Sequence, residues 1–347
     1  MEKKTVSVGI AGFGHSARVF HAPFLSCDPD FELKKIYERT SDNASKEYPD
    51  VLTVRSFGEL LTDDIDLVVL SIPNSLHYLF CMQAIAAGKH VVIEKPVALS
   101  SAEAEELRAA AEEKGVMLFP FHNRRLDGDY LTAKSVMGQL GDIVEYHSRY
   151  NRFRKGPSLK RWKTKEGDGF NVLLDLGTHL VDQAYALFGM PEEVYADLAV
   201  LREESPGWDS FHIILYYPDR MKAVLEGSET RAIPGPRLEM HGTEGSFVKE
   251  TLCVQERDLL SGKKPDSPGW GEDLPEDYGL LRVYRDGKLT DSRVPTVPGN
   301  YMRFYDGLYD ALRRGGRPPV SMEDAIGVLK ILEACEESNR LKRRIVL

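Results

Sequence analysis

Short, largely apolar runs alternate with segments of helical length over the first third of the chain. The runs Val6–Ala11, Leu33–Tyr37, Leu67–Ile72, His90–Ile93 and Val116–Phe119 predict strands. Between them, Ser75–Ala87 and Ser100–Lys114 have the length and pattern of helices. The second opens on Ser100 with Glu103 three residues later, the spacing of a capping box. Gly88 and Gly115 fall where these helices should stop. Alternation of this kind predicts a parallel, doubly wound sheet with right-handed crossovers, an N-terminal α/β domain of the Rossmann type.

After about residue 122 the rhythm changes. Val144–Arg152, Val194–Arg202, Phe211–Tyr217 and Ala223–Ser228 read as longer strands, several with alternating polarity. Leu280–Tyr284 and Leu289–Val294 flank Asp286-Gly287, a hairpin-turn signature. Helices are predicted near Asp127–Gly138, Thr178–Leu187, Tyr301–Arg313 and Met322–Arg340, and Ser261–Tyr278 reads as a long ordered loop. The division expected is an α/β domain over 1–122 and an α+β domain with a mainly antiparallel sheet over 123–347.

A length of 347 residues suits two domains, and the composition is that of a globular protein. The net charge of −9 argues against nucleic acid as a partner, since phosphate binding needs a clustered basic surface. The first 122 residues carry 12 Lys/Arg and 18 Asp/Glu, so a dinucleotide held there is bound by local geometry rather than overall attraction. Cys27, Cys81, Cys253 and Cys335 form no CxxC pair, which disfavours a zinc site or disulfide framework and fits a reducing compartment. No signal peptide or membrane span is recognisable, and a cytoplasmic location is expected.

The strongest chemical signal is Gly9-Ile10-Ala11-Gly12-Phe13-Gly14-His15-Ser16-Ala17, placed after an apolar strand and opening a helix. Gly12 permits the tight turn, Gly14 lets a pyrophosphate approach the backbone, and Ala17 keeps helix and strand close. The helix start offers N–H groups to phosphates. A glycine-rich turn without a ligand is the plainer alternative. Glu38-Arg39 follows at the end of the second strand, 21 residues beyond Ala17. An acid there accepts from the adenosine ribose 2′-OH and repels a 2′-phosphate, whereas Arg39 attracts one. The pair leaves NAD or NADP open, with Glu38 tilting the reading towards NAD.

Ser71-Ile72-Pro73-Asn74-Ser75-Leu76-His77 and Glu94-Lys95-Pro96 both follow strands, where loops line the ligand crevice of such sheets. Ile72, Pro73, Asn74, His77, Glu94 and Lys95 are therefore cofactor-side candidates. Asn74 or, better, Ser75 can instead cap the next helix, and His77 can be a plain first-turn residue. Lys95, placed before Pro96, can stabilise an alkoxide as hydride leaves. In Asp175-Leu176-Gly177-Thr178-His179-Leu180-Val181-Asp182, a helix would put 175, 179 and 182 on one face. A carboxylate one turn from an imidazole can orient it for proton transfer. No second His/Cys cluster supports a metal. His147, His212 and His241 lie in strand-like runs and read as structural.

With these motifs in order, the chain resembles the glucose–fructose oxidoreductase/inositol dehydrogenase/MocA family over nearly its whole length. The carriers are Gly12-Phe13-Gly14, Glu94-Lys95-Pro96 and Asp175…His179. The strings Phe20-His21-Ala22-Pro23-Phe24, His122-Asn123-Arg124-Arg125, Tyr150-Asn151-Arg152-Phe153-Arg154 and Pro298-Gly299-Asn300-Tyr301 are most similar to the branch containing scyllo-inositol dehydrogenases. The resemblance implies NAD(P)-dependent oxidation of a ring hydroxyl on a polyol or sugar, or the reverse reduction, by a homodimer or homotetramer, with 1–122 a dinucleotide-binding domain and 123–347 a substrate-binding and oligomerisation domain built on an open antiparallel sheet. It makes Lys95, Asp175 and His179 the catalytic candidates. His179 is then the general base, Asp175 orients it or the substrate, and Lys95 polarises the reacting oxygen. Asn123, Arg124, Tyr150 and Arg152 are candidates for substrate hydroxyls, with ion pairing the alternative for the arginines. The chain departs from close relatives at Leu126, where Trp is frequent. An NAD-dependent glycosidase and a non-catalytic dinucleotide sensor are the other classes this pattern leaves open.

Overall fold

The computed structural model describes residues 5–156, 171–203 and 205–347. Within them the chain forms two compact units. One is built on the stretch ending at His122, joined by 256–268 and 301–326; the other comprises 123–255, 269–300 and 327–347.

The first unit holds a six-stranded parallel sheet: β1 (Val6–Ala11), β2 (Phe31–Tyr37), β3 (Leu52–Val54), β4 (Leu67–Leu70), β5 (His90–Ile93) and β6 (Leu118–Pro120), in the order β3-β2-β1-β4-β5-β6. Every residue of β4 is buried, as are all but one of β1, because helices cover both faces. These helices are α1 (Ala22–Cys27), α2 (Asn43–Glu47), α3 (His77–Ala86) and α4 (Ser101–Lys114). At the start of α4 the Ser100 half of the predicted capping box is present, Ser100 Oγ accepting from the Glu103 N–H, whereas Glu103 Oε2 accepts from the Leu99 N–H rather than from that of Ser100. Gly88 and Gly115 end their helices at φ +73° and +70°. The three-residue strand β3 is too short to leave a periodic signature.

The division at residue 122 puts the helix Met302–Arg314 in the second domain; in the folded chain it lies with the first unit. The reason is aromatic packing. Tyr305 stacks on Phe24 with centroids 5.8 Å apart, and Phe304 meets Phe121 edge to face at 4.8 Å.

The second unit carries a nine-stranded sheet. Its strands are β7 (Ile143–Asn151), β8 (Glu193–Ala199), β9 (Ser210–Tyr216), β10 (Lys222–Ser228), β11 (Leu238–Gly242), β12 (Gly245–Lys249), β13 (Gly279–Arg285), β14 (Lys288–Val294) and β15 (Ile345–Val346). The order is β14-β13-β12-β11-β7-β10-β9-β8-β15, antiparallel except for the pair β7–β10. Asp286 and Gly287 close β13–β14 with φ of +52° and +81°, the two positive values a type I′ turn needs. One face of the sheet, including Ile213, Leu215, Ala223 and Leu225, packs on Leu180, Val181, Ala184, Ile331 and Leu332. The helices that supply the covering residues and neighbours are α5 (Gly128–Val136), α6 (Thr178–Phe188) and Met322–Leu341.

The predicted ordered loop has a physical anchor. Lys249, fully buried, gives its three ammonium hydrogens to Asp273 (2.8 Å), Thr251 Oγ1 (2.6 Å) and the Asp277 carbonyl (2.6 Å). Asp273 also accepts from Thr296 Oγ1. Lys249→Met should leave Asp273 buried without its cation and lower stability by about 3–5 kcal/mol. Urea unfolding of the two proteins checks this; a loss below about 1 kcal/mol contradicts the anchoring role.

Candidate active site

In the first unit the carboxyl ends of the strands present the glycine turn. Gly12 sits at φ +86°, and a Cβ there would meet the Ser71 carbonyl oxygen at 2.3 Å. Only glycine can be accommodated. A Cβ on Gly14 meets nothing within 4 Å, so the chain leaves open space on that side of the turn. Ala17 is fully buried, which brings the following helix close to the sheet. An open cradle with a helix start beside it fits a dinucleotide pyrophosphate. Phe13 is buried with its ring edge-on to Tyr48 at 5.8 Å, and the exposed His15 meets Phe20 edge to face at 6.2 Å. The helix is wider than expected: Ala17–His21 is a π turn before α1. Pro23, with no N–H to give to a carbonyl four residues back, accounts for the irregularity.

The end of β2 differs from the sequence expectation. Glu38 is 4% exposed, and its carboxylate accepts from Ser41 Oγ (2.6 Å) and the Ala44 N–H (2.8 Å). Arg55 Nη1 clasps the same loop through the Glu38 and Ser41 carbonyls. Glu38 is thus committed to its own loop and to the start of α2, while the neighbouring Arg39 is exposed. The tilt towards NAD that the sequence draws from Glu38 has no support in this arrangement.

Two further corrections concern the loop after β4. Ser75 does not cap α3; it lies inside a 3₁₀ turn, Asn74–Leu76, and no side chain caps the helix. Ile72, Pro73 and Asn74 are partly exposed beside the Gly12 approach. His77, by contrast, is fully buried, with Nδ1 2.7 Å from the Pro96 carbonyl and Nε2 3.0 Å from the Ile72 carbonyl. Burial keeps its pKa below the usual imidazole range against the pull of those carbonyls. It ties the β4 and β5 loops together from beneath rather than facing a ligand. Glu94 also turns inward. Its Oε1 receives the Ser16 hydroxyl and lies 3.0 Å from His21 Nε2, and its Oε2 accepts from the Lys95 N–H at 3.2 Å.

In the second unit, Asp175 lies in a π turn, Leu173–Gly177, that runs directly into α6, and His179 lies in the first turn of that helix. His179 is 8% exposed and faces the edge of the Tyr150 ring, with centroids 6.4 Å apart. Arg125 forks onto both oxygens of Asp182 at 2.6–3.1 Å. Arg152 Nη2 is 3.8 Å from Asp175 but 2.7 Å from Glu229, which Arg154 and Arg202 also engage. Ion pairing therefore dominates its surroundings. Burial pushes the Tyr150 pKa well up, so the side chain stays a phenol; its hydroxyl is 3.4 Å from Asp127, and Arg237 lies over its ring at 4.2 Å. Asn123 is buried, the Arg124 carbonyl accepts from Gln183, and the Arg124 guanidinium is 3.7 Å from Asp127.

Asp127 and Arg237, which flank Tyr150, are neighbours of the candidate site that pattern reading missed. Arg237 bonds Asp129, Ser148 and Gln183, three partners far apart in sequence, which leaves no local signature. The sequence around His21, Phe20-His21-Ala22-Pro23-Phe24, carries no sign of its pairing with Glu94.

Comparison with known proteins adds family to geometry. Residues 6–122 match the oxidoreductase family's NAD-binding Rossmann fold, and 134–347 match the C-terminal alpha/beta domain of the same family. The chain is 40% identical over 347 residues to scyllo-inositol 2-dehydrogenase (NADP(+)) IolW of Bacillus subtilis, covering 99% of this chain and 96% of that protein. It is 37% identical over 346 residues to the uncharacterized oxidoreductase YdgJ of Escherichia coli, covering 99% of each. Among solved structures, yvaA of Bacillus subtilis superposes with a TM-score of 0.96 at 39% identity, covering 100% of this chain and 99% of that one. Two matched domain models and full-length relatives on this sheet topology establish the identity at family level: the chain belongs to the Gfo/Idh/MocA oxidoreductases.

Proposed function

We propose that this protein is an NADP(H)-dependent dehydrogenase that interconverts a ring hydroxyl of an inositol-like polyol and the corresponding ketone. The observation that carries the cofactor preference is the commitment of both Glu38 oxygens to Ser41 and Ala44. With that carboxylate inward and Arg39 exposed, the end of β2 favours a 2′-phosphate over a bare ribose hydroxyl. The 40% identity to a relative named for NADP(+) and scyllo-inositol supports the same reading.

When bound, the nicotinamide supplies the hydride chemistry, so the chain's own residues need only align groups and handle a proton. The imidazole of His179 takes the proton of the substrate hydroxyl. Asp175 orients that imidazole or a neighbouring hydroxyl, and the Lys95 ammonium stabilises the oxygen as negative charge develops on it. Tyr150 and Arg124 serve the remaining hydroxyls. The resemblance further suggests assembly into dimers or tetramers.

Two outcomes follow. Arg39→Ala should lower kcat/KM with NADP+ by about 10- to 100-fold while leaving the NAD+ value within about twofold. Equal losses with both cofactors contradict a 2′-phosphate contact. His179→Ala should lower kcat by roughly 10²–10⁴ while the cofactor Kd stays unchanged. Near-normal turnover removes His179 from proton transfer. The substrate class is tested by assaying cyclic polyols, aldoses and glycosides with both cofactors.

A further inference from the structure

We propose that Glu94 is a positioning residue that ties the glycine loop to the lysine loop, with His21 and Tyr305 holding it in place; this rests on the dinucleotide reading above. Behind Glu94 the Tyr305 hydroxyl oxygen lies 2.9 Å from the Phe20 carbonyl oxygen and 2.8 Å from His21 Nδ1. On the other side of the ring, His21 Nε2 lies 3.0 Å from Glu94 Oε1. His21 and Tyr305 are both fully buried, so the ring is fixed where it meets the carboxylate.

The other contacts of Glu94 show what this arrangement does. Oε1 also receives the hydroxyl of Ser16, two residues beyond Gly14 in the cradle. Oε2 accepts from the backbone N–H of Lys95. One carboxylate thus joins the loop suited to a pyrophosphate to the residue suited to the reacting oxygen. Burial alone pushes the Glu94 pKa up, yet the hydrogen bond and charge of His21, with Ser16 and Lys95, hold it at about 2. A carboxylate fixed in this way gives both loops the same reference point. A phosphate seated on the glycine turn then presets the Lys95 segment through Glu94, without Glu94 touching the cofactor.

The test is a double-mutant cycle read by titrating NADPH fluorescence, a binding measurement free of turnover. Ser16→Ala and Lys95→Met are made singly and together, in the wild-type and in the Glu94→Gln background. In the wild type, Ser16→Ala should weaken binding by about tenfold, the effect of one good hydrogen bond to a charged group, and Ser16→Thr should restore it. That factor should shrink to under about threefold once Lys95 is Met. In the Glu94→Gln background the two effects should simply multiply. Multiplying effects in the wild type, or a coupling that survives Glu94→Gln, overturns the proposal. If Glu94→Gln does not fold by circular dichroism, the wild-type cycle and the Ser16→Thr rescue decide alone. If the unaltered protein binds neither NADPH nor NADH, the dinucleotide reading fails first.

Discussion

The backbone of Gly12 lies so close to the Ser71 carbonyl that a Cβ would come within 2.3 Å of it. This approach joins the ends of β1 and β4, the two strands between which the sheet order reverses. In an open parallel sheet that reversal is where a crevice forms beyond the strand ends. The open space beside Gly14, the inward Glu94 and the His77 strut between the β4 and β5 loops are all arranged around it. A side chain at Gly12 would push the two strand ends apart and disperse the groups that face the crevice.

The second unit reaches a similar end by different means. Its sheet is built mainly from antiparallel neighbours, and the polar groups beside Tyr150 are fixed by buried charge. Arg237 is held among Asp129, Ser148 and Gln183 and lies over the Tyr150 ring; burial works against its charge, and Asp129, Tyr150, Tyr146 and Asp127 together outweigh it. Buried ion pairs of this kind contribute more to a single arrangement than to net stability. Here they set the surroundings in which His179 meets the Tyr150 edge.

Much of the fold was legible because it is local. The runs of β1, β4 and β5, the Ser100–Glu103 start of α4 and the Asp286-Gly287 turn each state their conformation within a few residues. The placement of the helix Met302–Arg314 was not, because an aromatic face predicts burial without naming Phe24 and Phe121 as its partners. The same limit applies to the site. The glycine turn announces itself through backbone requirements that only glycine meets. Glu38, by contrast, has the right residue type in the right place, yet its direction depends on Ser41 and Ala44, whose conformation the strand pattern does not fix. Asp182 shows the same limit, since helical spacing puts it on the face of His179 but does not foresee the fork from Arg125.

NADP-linked hydride transfer from a ring carbon is the central step of the proposed function. The decisive measurement incubates the purified protein with NADP+ and scyllo-inositol deuterated at carbon, then follows the label by NMR. Deuterium at C4 of the reduced nicotinamide, in step with one ketone per turnover, is the predicted result. Label that stays in the polyol with NADP+, or that moves only with NAD+, would contradict it.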